Sequence, residues 1–445
     1  MNYRRFLMLF FLLFLAIFSV SGLSCRKKTQ TTTPTLTVWL VGYKKTNFER
    51  KLSSFKSKQK VNINLEEKEK DTLEEDLINA LATHQGPDIV MIDHDFLIKH
   101  KEIFAPCVLK ITKNQIQYCD IKGIKDYYPP IVQILVWDNK LYGYPYYIST
   151  PLVLYNTKII TDSRQELYRN NLSATHIPYY WDEFVKLAKI LTKKDAKGKI
   201  IQSGVALGTA SNNPVAQDIL YSLMLQNGTK ISNPESANPL ALFNLPTKDE
   251  NGNLVYPGEK ALNFYTSFSN PQSKNYSFNS NFGSTWREFA QGKVAMIIDY
   301  PERIEDIQSL NPSISIRQSI FPQITNTENP TVYGKVYLFG ILKDSKNIVL
   351  AWKLAGELTK FWNESFVKKA TKEKDWRFKT EGNEALKTQI NFAQTVYKYK
   401  YPEEFDKNIR EAIDNVSTKK ASSQKALDKA ATSINQLVIE NGATY

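Results

Sequence analysis

The chain has 445 residues, 42% of them hydrophobic and 12% aromatic, which excludes a disordered protein and leaves room for two or three packed domains. Its formal charge of +13 comes from lysines spread over helix-like stretches, as at Lys186, Lys189, Lys193 and Lys194, rather than gathered in one patch. No nucleic-acid module accompanies them, so the charge reads as solvated surface beside an anionic membrane, and no nucleic-acid partner is expected.

Arg4 and Arg5 precede an apolar run, Phe6–Val20, and then Ser21-Gly-Leu-Ser-Cys25. A basic segment followed by an apolar one is an export leader, assigned to residues 1–24. Cys25 resembles the lipid-attachment cysteine of bacterial lipoproteins, although Leu23 sits one position nearer to it than in the usual pattern. The alternative is an uncleaved anchor, since Phe6–Leu23 just reaches spanning length. Either way the basic end stays inside and the remainder is exported, facing the extracytoplasmic side of the membrane. Residues 25–35 are polar and Thr-rich, a tether between membrane and fold. Cys107 and Cys119 are the other cysteines; in an exported chain they are a disulfide candidate, with two isolated buried thiols as the alternative.

Leu36–Val41 reads as a strand, Asn47–Lys58 as an amphipathic helix and Val61–Leu65 as an alternating strand. Thr72-Leu-Glu-Glu75 has the capping-box pattern of a helix that continues through Leu73, Leu77, Ile78 and Leu81. Gly86-Pro-Asp leads into a buried strand that ends in Asp93-His-Asp95. Short connections in the order β-α-β-α-β predict right-handed crossovers and a mainly parallel sheet. Ligands of such sheets bind beyond the carboxyl ends of the strands, which places Tyr43 and Lys44, after the first strand, and Asp93, His94 and Asp95, after the third, on one crevice. Neighbouring residues at a strand end point to opposite sides, so these last three cannot share one ion, and no metal is expected.

Tyr142–Asn156 is aromatic-rich, and Pro145 and Pro151 make it extended and place it at a sheet edge. After it the α/β alternation begins again. Tyr180–Leu191 is a helix, Val205–Gly208 a short strand, and Asn212-Asn-Pro opens a helix from about Val215 to Gln226. Thr247–Pro257 is a polar turn-rich loop and Ala261–Ser267 a helix. Trp286–Pro301 combines a helix end, a glycine stop and a strand. Ile314–Phe321 is a strand, Pro322–Pro330 a second crossing, and Val332–Ile341 a strand that returns to the first half. Asn347–Phe361 is an apolar helix, and the rest is helical and polar.

Four phrases carry a resemblance: the helix that ends in Gly86-Pro-Asp before an apolar strand; Gly143-Tyr-Pro followed by Leu152-Val-Leu-Tyr-Asn156; Trp181-Asp-Glu-Phe; and Gly292-Lys-Val-Ala-Met before a strand. Together they resemble the type 1 extracellular solute-binding proteins, the maltodextrin-binding-protein-like components of ABC importers, from about Leu36 onward. The resemblance implies a two-lobed α/β periplasmic-binding-protein-like fold of type II, each lobe a mainly parallel sheet flanked by helices, with the ligand cleft between them. Lobe I is then residues 36–148 with a return at 327–366, and lobe II is 149–326, with the C-terminal helices of 367–445 packed on lobe II.

It further implies a monomeric binding protein that hands a small solute to the permease subunits of a transporter. The cleft would be lined by Tyr43, Lys44, Asp93, His94 and Asp95 in lobe I and by Tyr146 and Tyr147 at the first crossing. Asn212, Asn213, Trp286, Asp299 and Tyr300 would face it from lobe II, and Tyr333 and Tyr337 from the return. Aromatic faces stack on sugar rings, which makes an oligosaccharide the first expectation. Family members often carry Trp after the Gly-Pro that follows the Ala-Met strand; Asp299-Tyr-Pro-Glu302 departs from that and argues against a maltodextrin. A cationic or amino-acid-like ligand would instead pair with Asp93, Asp95 or Asp299.

Only His84, His94, His100 and His176 are available as bases, and neither a Gly-x-Ser-x-Gly elbow nor a phosphate-cradling loop is present. No enzyme activity and no cofactor are therefore expected. The competing readings are a surface lipoprotein of this fold used for adhesion or sensing, and a secreted carbohydrate-active enzyme, which needs only two carboxylates.

Overall fold

The computed structural model describes residues 33–108, 127–233, 240–362, 367 and 382–440. The leader, the assignment of Cys25, most of the tether and Cys119 lie outside the described residues. Cys107 is disulfide-bonded.

Strand β1 (Thr35–Val41) ends at Gly42, whose φ of +74° turns the chain away. Two short helices, α1 (Thr46–Glu49) and α2 (Ser53–Gln59), replace the single helix expected over 47–58, with Leu52 fully buried between them. Strand β2 (Asn62–Lys68) follows, then α3 (Leu73–Ala82). The capping box does not form at α3: the Thr72 hydroxyl bonds Asp76 at 3.2 Å instead of a backbone N–H. Glu74, Glu75 and Asp76 still place negative charge against the positive end of the helix.

Strand β3 (Ile89–Asp93) passes directly into α4 (His94–Lys99). What reads as a polar strand end is a helix cap, because the Asp93 carboxylate accepts the Phe96 N–H at 3.0 Å. Next come β4 (Tyr144–Ser149) and β5 (Leu152–Asn156). Helix α5 (Trp181–Leu191) buries Trp181, Phe184, Leu187 and Leu191 along one face. Strand β6 spans Ile200–Val205, earlier than the expected 205–208. Gln202, Ser203 and Gly204 disguise it, and Gly204 has to be glycine-sized because a Cβ there would lie 1.9 Å from the Ala188 carbonyl oxygen.

Then follow α6 (Ala216–Gln226), α7 (Pro257–Ser267), α8 (Thr285–Ala290), β7 (Val294–Asp299), β8 (Ile316–Ser319), β9 (Lys335–Ile341) and α9 (Ile348–Thr359). The expected polar loop at 247–257 is a small hairpin turned by Asp249. Helices α10 (Pro402–Ser417) and α11 (Ser423–Glu440) pack on each other and against α6 and α7; α10 also touches α4.

The two principal sheets are built from different parts of the chain. The first runs β2-β1-β3-β9-β4, and the second β8-β5-β7-β6 with Lys193–Lys194 at its far edge. β4, with its proline, is an edge strand, as its sequence predicts, but β5, the other half of that stretch, is not: it lies inside the second sheet, paired on both sides with β7 and β8. The expectation of mainly parallel sheets is corrected: both are mixed. β1 pairs in parallel with β2 and β3, and β6 with β7, where helices supply the crossovers. β9 is antiparallel to both β3 and β4, and β5 to both β7 and β8, since these strands enter from the other sheet or from a long connection. β7 is buried on both faces, as is most of β3. The chain passes between sheets after β4 and again before β9, so both passages lie beside the polar carboxyl ends of β3 and β7.

Candidate functional site

Register lines up three residues across the first sheet: Asp93 of β3 faces Tyr337 of β9, which faces Tyr147 of β4. Beside this row the Tyr146 ring lies 4.3 Å from Trp362 and 4.9 Å from Phe339, and Trp362 meets Tyr43 edge-on at 5.4 Å. Tyr300 and Glu302 come from the second sheet, just beyond the carboxyl end of β7. The Ser149 hydroxyl, at the end of β4, donates to Glu302 at 3.0 Å and ties the two sheets together. Burial first, and then the Glu302 charge, push the Tyr147 hydroxyl far above the usual tyrosine range, so it stays a neutral donor.

A string of buried charges continues from the tyrosines. Lys335 pairs with Asp218 at 2.9 Å, and the Tyr300 hydroxyl donates to the same oxygen at 3.1 Å. Lys398 pairs with Asp95 at 2.9 Å and with Asp406 at 3.0 Å, and the Tyr221 hydroxyl donates to Asp406 at 2.7 Å. The lysine ammoniums also sit over rings, Lys335 at 5.0 Å from Tyr300 and Lys398 at 5.5 Å from Tyr333. Burial alone would raise the Asp95 pKa, but the Lys398 ammonium beside it holds it down at about 2. Burial likewise opposes the charge on Lys335, and Asp218 together with Asp406 keeps its pKa raised. Asp299 is pushed up to about 6 by burial, against the pull of Arg303 and of the Tyr300 N–H.

Tyr43, Asp93, Tyr146, Tyr147, Tyr300, Tyr333 and Tyr337 thus converge on one junction, with Asp95 and Asp299 at its margins. His94 is fully buried; its Nδ1 accepts the Val336 N–H at 3.3 Å, and burial keeps the ring neutral. Lys44 lies on the surface paired with Glu67. Asn212 and Asn213 shape a loop, donating to the Asn279 and Phe282 carbonyls and to Tyr265 respectively. Trp286 stacks with Arg303, which reaches Asp299 at 3.5 Å, so it stands behind the junction rather than in it. Among the described residues no cluster of three or more His, Cys, Asp or Glu is arranged to hold a metal ion.

Residues 42–361 match the family described as bacterial extracellular solute-binding protein. The chain belongs to this family. No curated protein sequence matches it. Three solved structures have the same fold at low identity. An ABC transporter solute-binding protein from Thermotoga lettingae, bound with alpha-D-tagatose, is 20% identical with a TM-score of 0.62, over 91% of this chain and 99% of its own. A substrate-binding protein from Listeria monocytogenes in complex with cycloalternan is 16% identical with a TM-score of 0.65, over 91% and 99%. The cyclic alpha-maltosyl-1,6-maltose binding protein of Arthrobacter globiformis is 16% identical with a TM-score of 0.67, over 92% and 100%.

The fold is therefore the two-lobed one that the solute-binding family shares, and that family is one of binding proteins rather than enzymes. Sequence reasoning missed Asp218, Glu302, Lys335, Trp362, Lys398 and Asp406 at the junction of this family member. Signals existed for some of them. Asp218 is the lone acid in the otherwise uncharged helix Ala216–Gln226, and Lys398 lies in Tyr397-Lys-Tyr-Lys-Tyr401. No helix among the described residues is long and apolar enough to cross a membrane.

Proposed function

We propose that this chain is the extracytoplasmic receptor of an ABC importer, held at the membrane by a lipid on Cys25, and that as a monomer it captures an oligosaccharide for the permease. The observation that carries the reading is the convergence of Tyr43, Tyr146, Tyr147, Tyr300, Tyr337 and Trp362, with Glu302 and Asp93, where the two sheets exchange strands. Ring faces suit the C–H faces of a sugar, and hydroxyls and carboxylates suit its hydroxyl groups. Contacts contributed from both lobes make the bound state the closed one, and closure is the signal a permease can read.

The test is thermal unfolding against a panel of mono- and oligosaccharides. A solute at a hundred times its Kd adds about 2.7 kcal/mol of stability. We expect a midpoint increase with one saccharide class that disappears in Tyr147→Ala and Tyr337→Ala. No increase with any solute from a folded sample would favour an adhesion or sensing role instead.

A further inference from the structure

The charge balance at the junction is the reverse of that of the whole chain. The chain carries +13, yet among the described residues six acids stand within electrostatic reach of the clustered tyrosines or of one another there: Asp93, Asp95, Asp218, Asp299, Glu302 and Asp406. Three cations, Lys335, Lys398 and Arg303, oppose them; His94 is neutral.

A surplus of acid alone is no site, but here, among the described residues, buried polar atoms are left over. Asp218, fully buried, uses Oδ2 for both Lys335 and Tyr300, and its Oδ1 has no hydrogen-bond partner. Asp299, 1% exposed, has Oδ2 in the same condition, with Arg303 no nearer than 3.5 Å. The Tyr333 hydroxyl, fully buried between Asp95, Asp218 and Lys398, is unpartnered as well. A buried carboxylate oxygen without a donor is costly, and a donor that brings positive charge offsets most. The aromatic faces already accept ammonium groups, since Lys335 and Lys398 lie over Tyr300 and Tyr333. The basic remainder of the molecule makes the preference local and not a general affinity for cations.

We propose that the solute taken at this junction carries a protonated amine, as an amino sugar does, and that Asp218 and Asp299 receive it beside the rings of Tyr300 and Tyr333. The inference rests on the solute-binding reading and narrows its substrate class: an uncharged glucan can offer hydroxyls to the leftover oxygens but brings no positive charge to offset them, and an acidic saccharide meets surplus negative charge.

The experiment is calorimetric titration of the full chain in detergent with glucosamine oligomers, their N-acetylated forms, cello-oligosaccharides, oligogalacturonides and spermidine. Glucosamine oligomers should bind at least about tenfold more tightly than the N-acetylated forms, about 1.4 kcal/mol. Asp218→Asn and Asp299→Asn should each abolish that preference. The second variant guards against misfolding of the first, whose Lys335 loses its partner. Equal or tighter binding of the N-acetylated, neutral or acidic oligomers overturns the proposal. Binding of spermidine alone upholds the amine and overturns the oligosaccharide, whereas binding of none of these overturns the solute-binding reading and this inference with it.

Discussion

Asp95 and Asp299 show how position alone sends the same side chain in opposite directions. Asp95 is held at about 2 by Lys398, so its folded value lies below its unfolded one. Its contribution to stability is full above about pH 4 and is lost as pH falls toward 2. Asp299 is raised from 3.8 to about 6 by burial, with Asp218 and Glu302 adding to the effect and Arg303 and the Tyr300 N–H opposing it. For an acid raised in the fold the sign reverses: stability falls as pH rises from about 4 to 6 and is then flat, a loss of roughly 3 kcal/mol in all. Asp299→Asn should therefore stabilise the protein by roughly 1–3 kcal/mol at pH 7.5 and by nearly nothing at pH 4. Urea denaturation at the two pH values measures this, and equal effects at both would refute the burial argument. None of this is legible in sequence. Lys398 is 303 residues from Asp95, and Lys335 117 from Asp218, so nothing local marks either lysine as buried.

At the scale of elements, the sequence patterns located most strands and helices but misjudged their ends. The two candidate helix starts show why. Thr72-x-x-Glu75 has the right letters, yet the Thr72 hydroxyl is turned to Asp76. Asp93, seen as a ligand residue at the end of a strand, caps α4. Capping depends on the backbone angle at which the chain enters the helix, which letters do not encode. Thr72→Ala should cost only a few tenths of a kcal/mol and Asp93→Ala about 1 kcal/mol, by chemical denaturation. The reverse order would restore the capping box. Gly143, part of the phrase that carried the family resemblance, has a packing reason: a Cβ there would lie 2.4 Å from the Leu338 side chain and 2.8 Å from the Phe339 carbonyl oxygen. Gly143→Ala should cost about 1–3 kcal/mol, because the edge strand β4 would have to move off β9.

For the whole molecule, the four family phrases were enough to give two lobes, since each marks a strand or helix terminus that any such fold needs. Part of what holds the lobes together was hidden, because it consists of charges from distant segments. Lys398, 1% exposed, bonds Asp95 on α4 beside the first sheet and Asp406 on α10, which packs on the helices of the second. Lys99 makes a second bond between the same two helices, to Glu403 at 3.1 Å, but Glu403 is largely exposed. The first bond is desolvated and unscreened, the second screened by water and salt. Removing one member of a buried ion pair costs about 3–5 kcal/mol because its partners remain charged and dry. Lys398→Met would leave Asp95 and Asp406 facing each other, and opening the junction to water is the direct way to relieve them. Small-angle scattering of the solute-free protein should thus show a larger radius of gyration for Lys398→Met than for wild type, and no change for Lys99→Met. If Lys398→Met stays as compact as wild type and loses only thermal stability, the buried lysine braces the fold without governing how far the lobes stand apart.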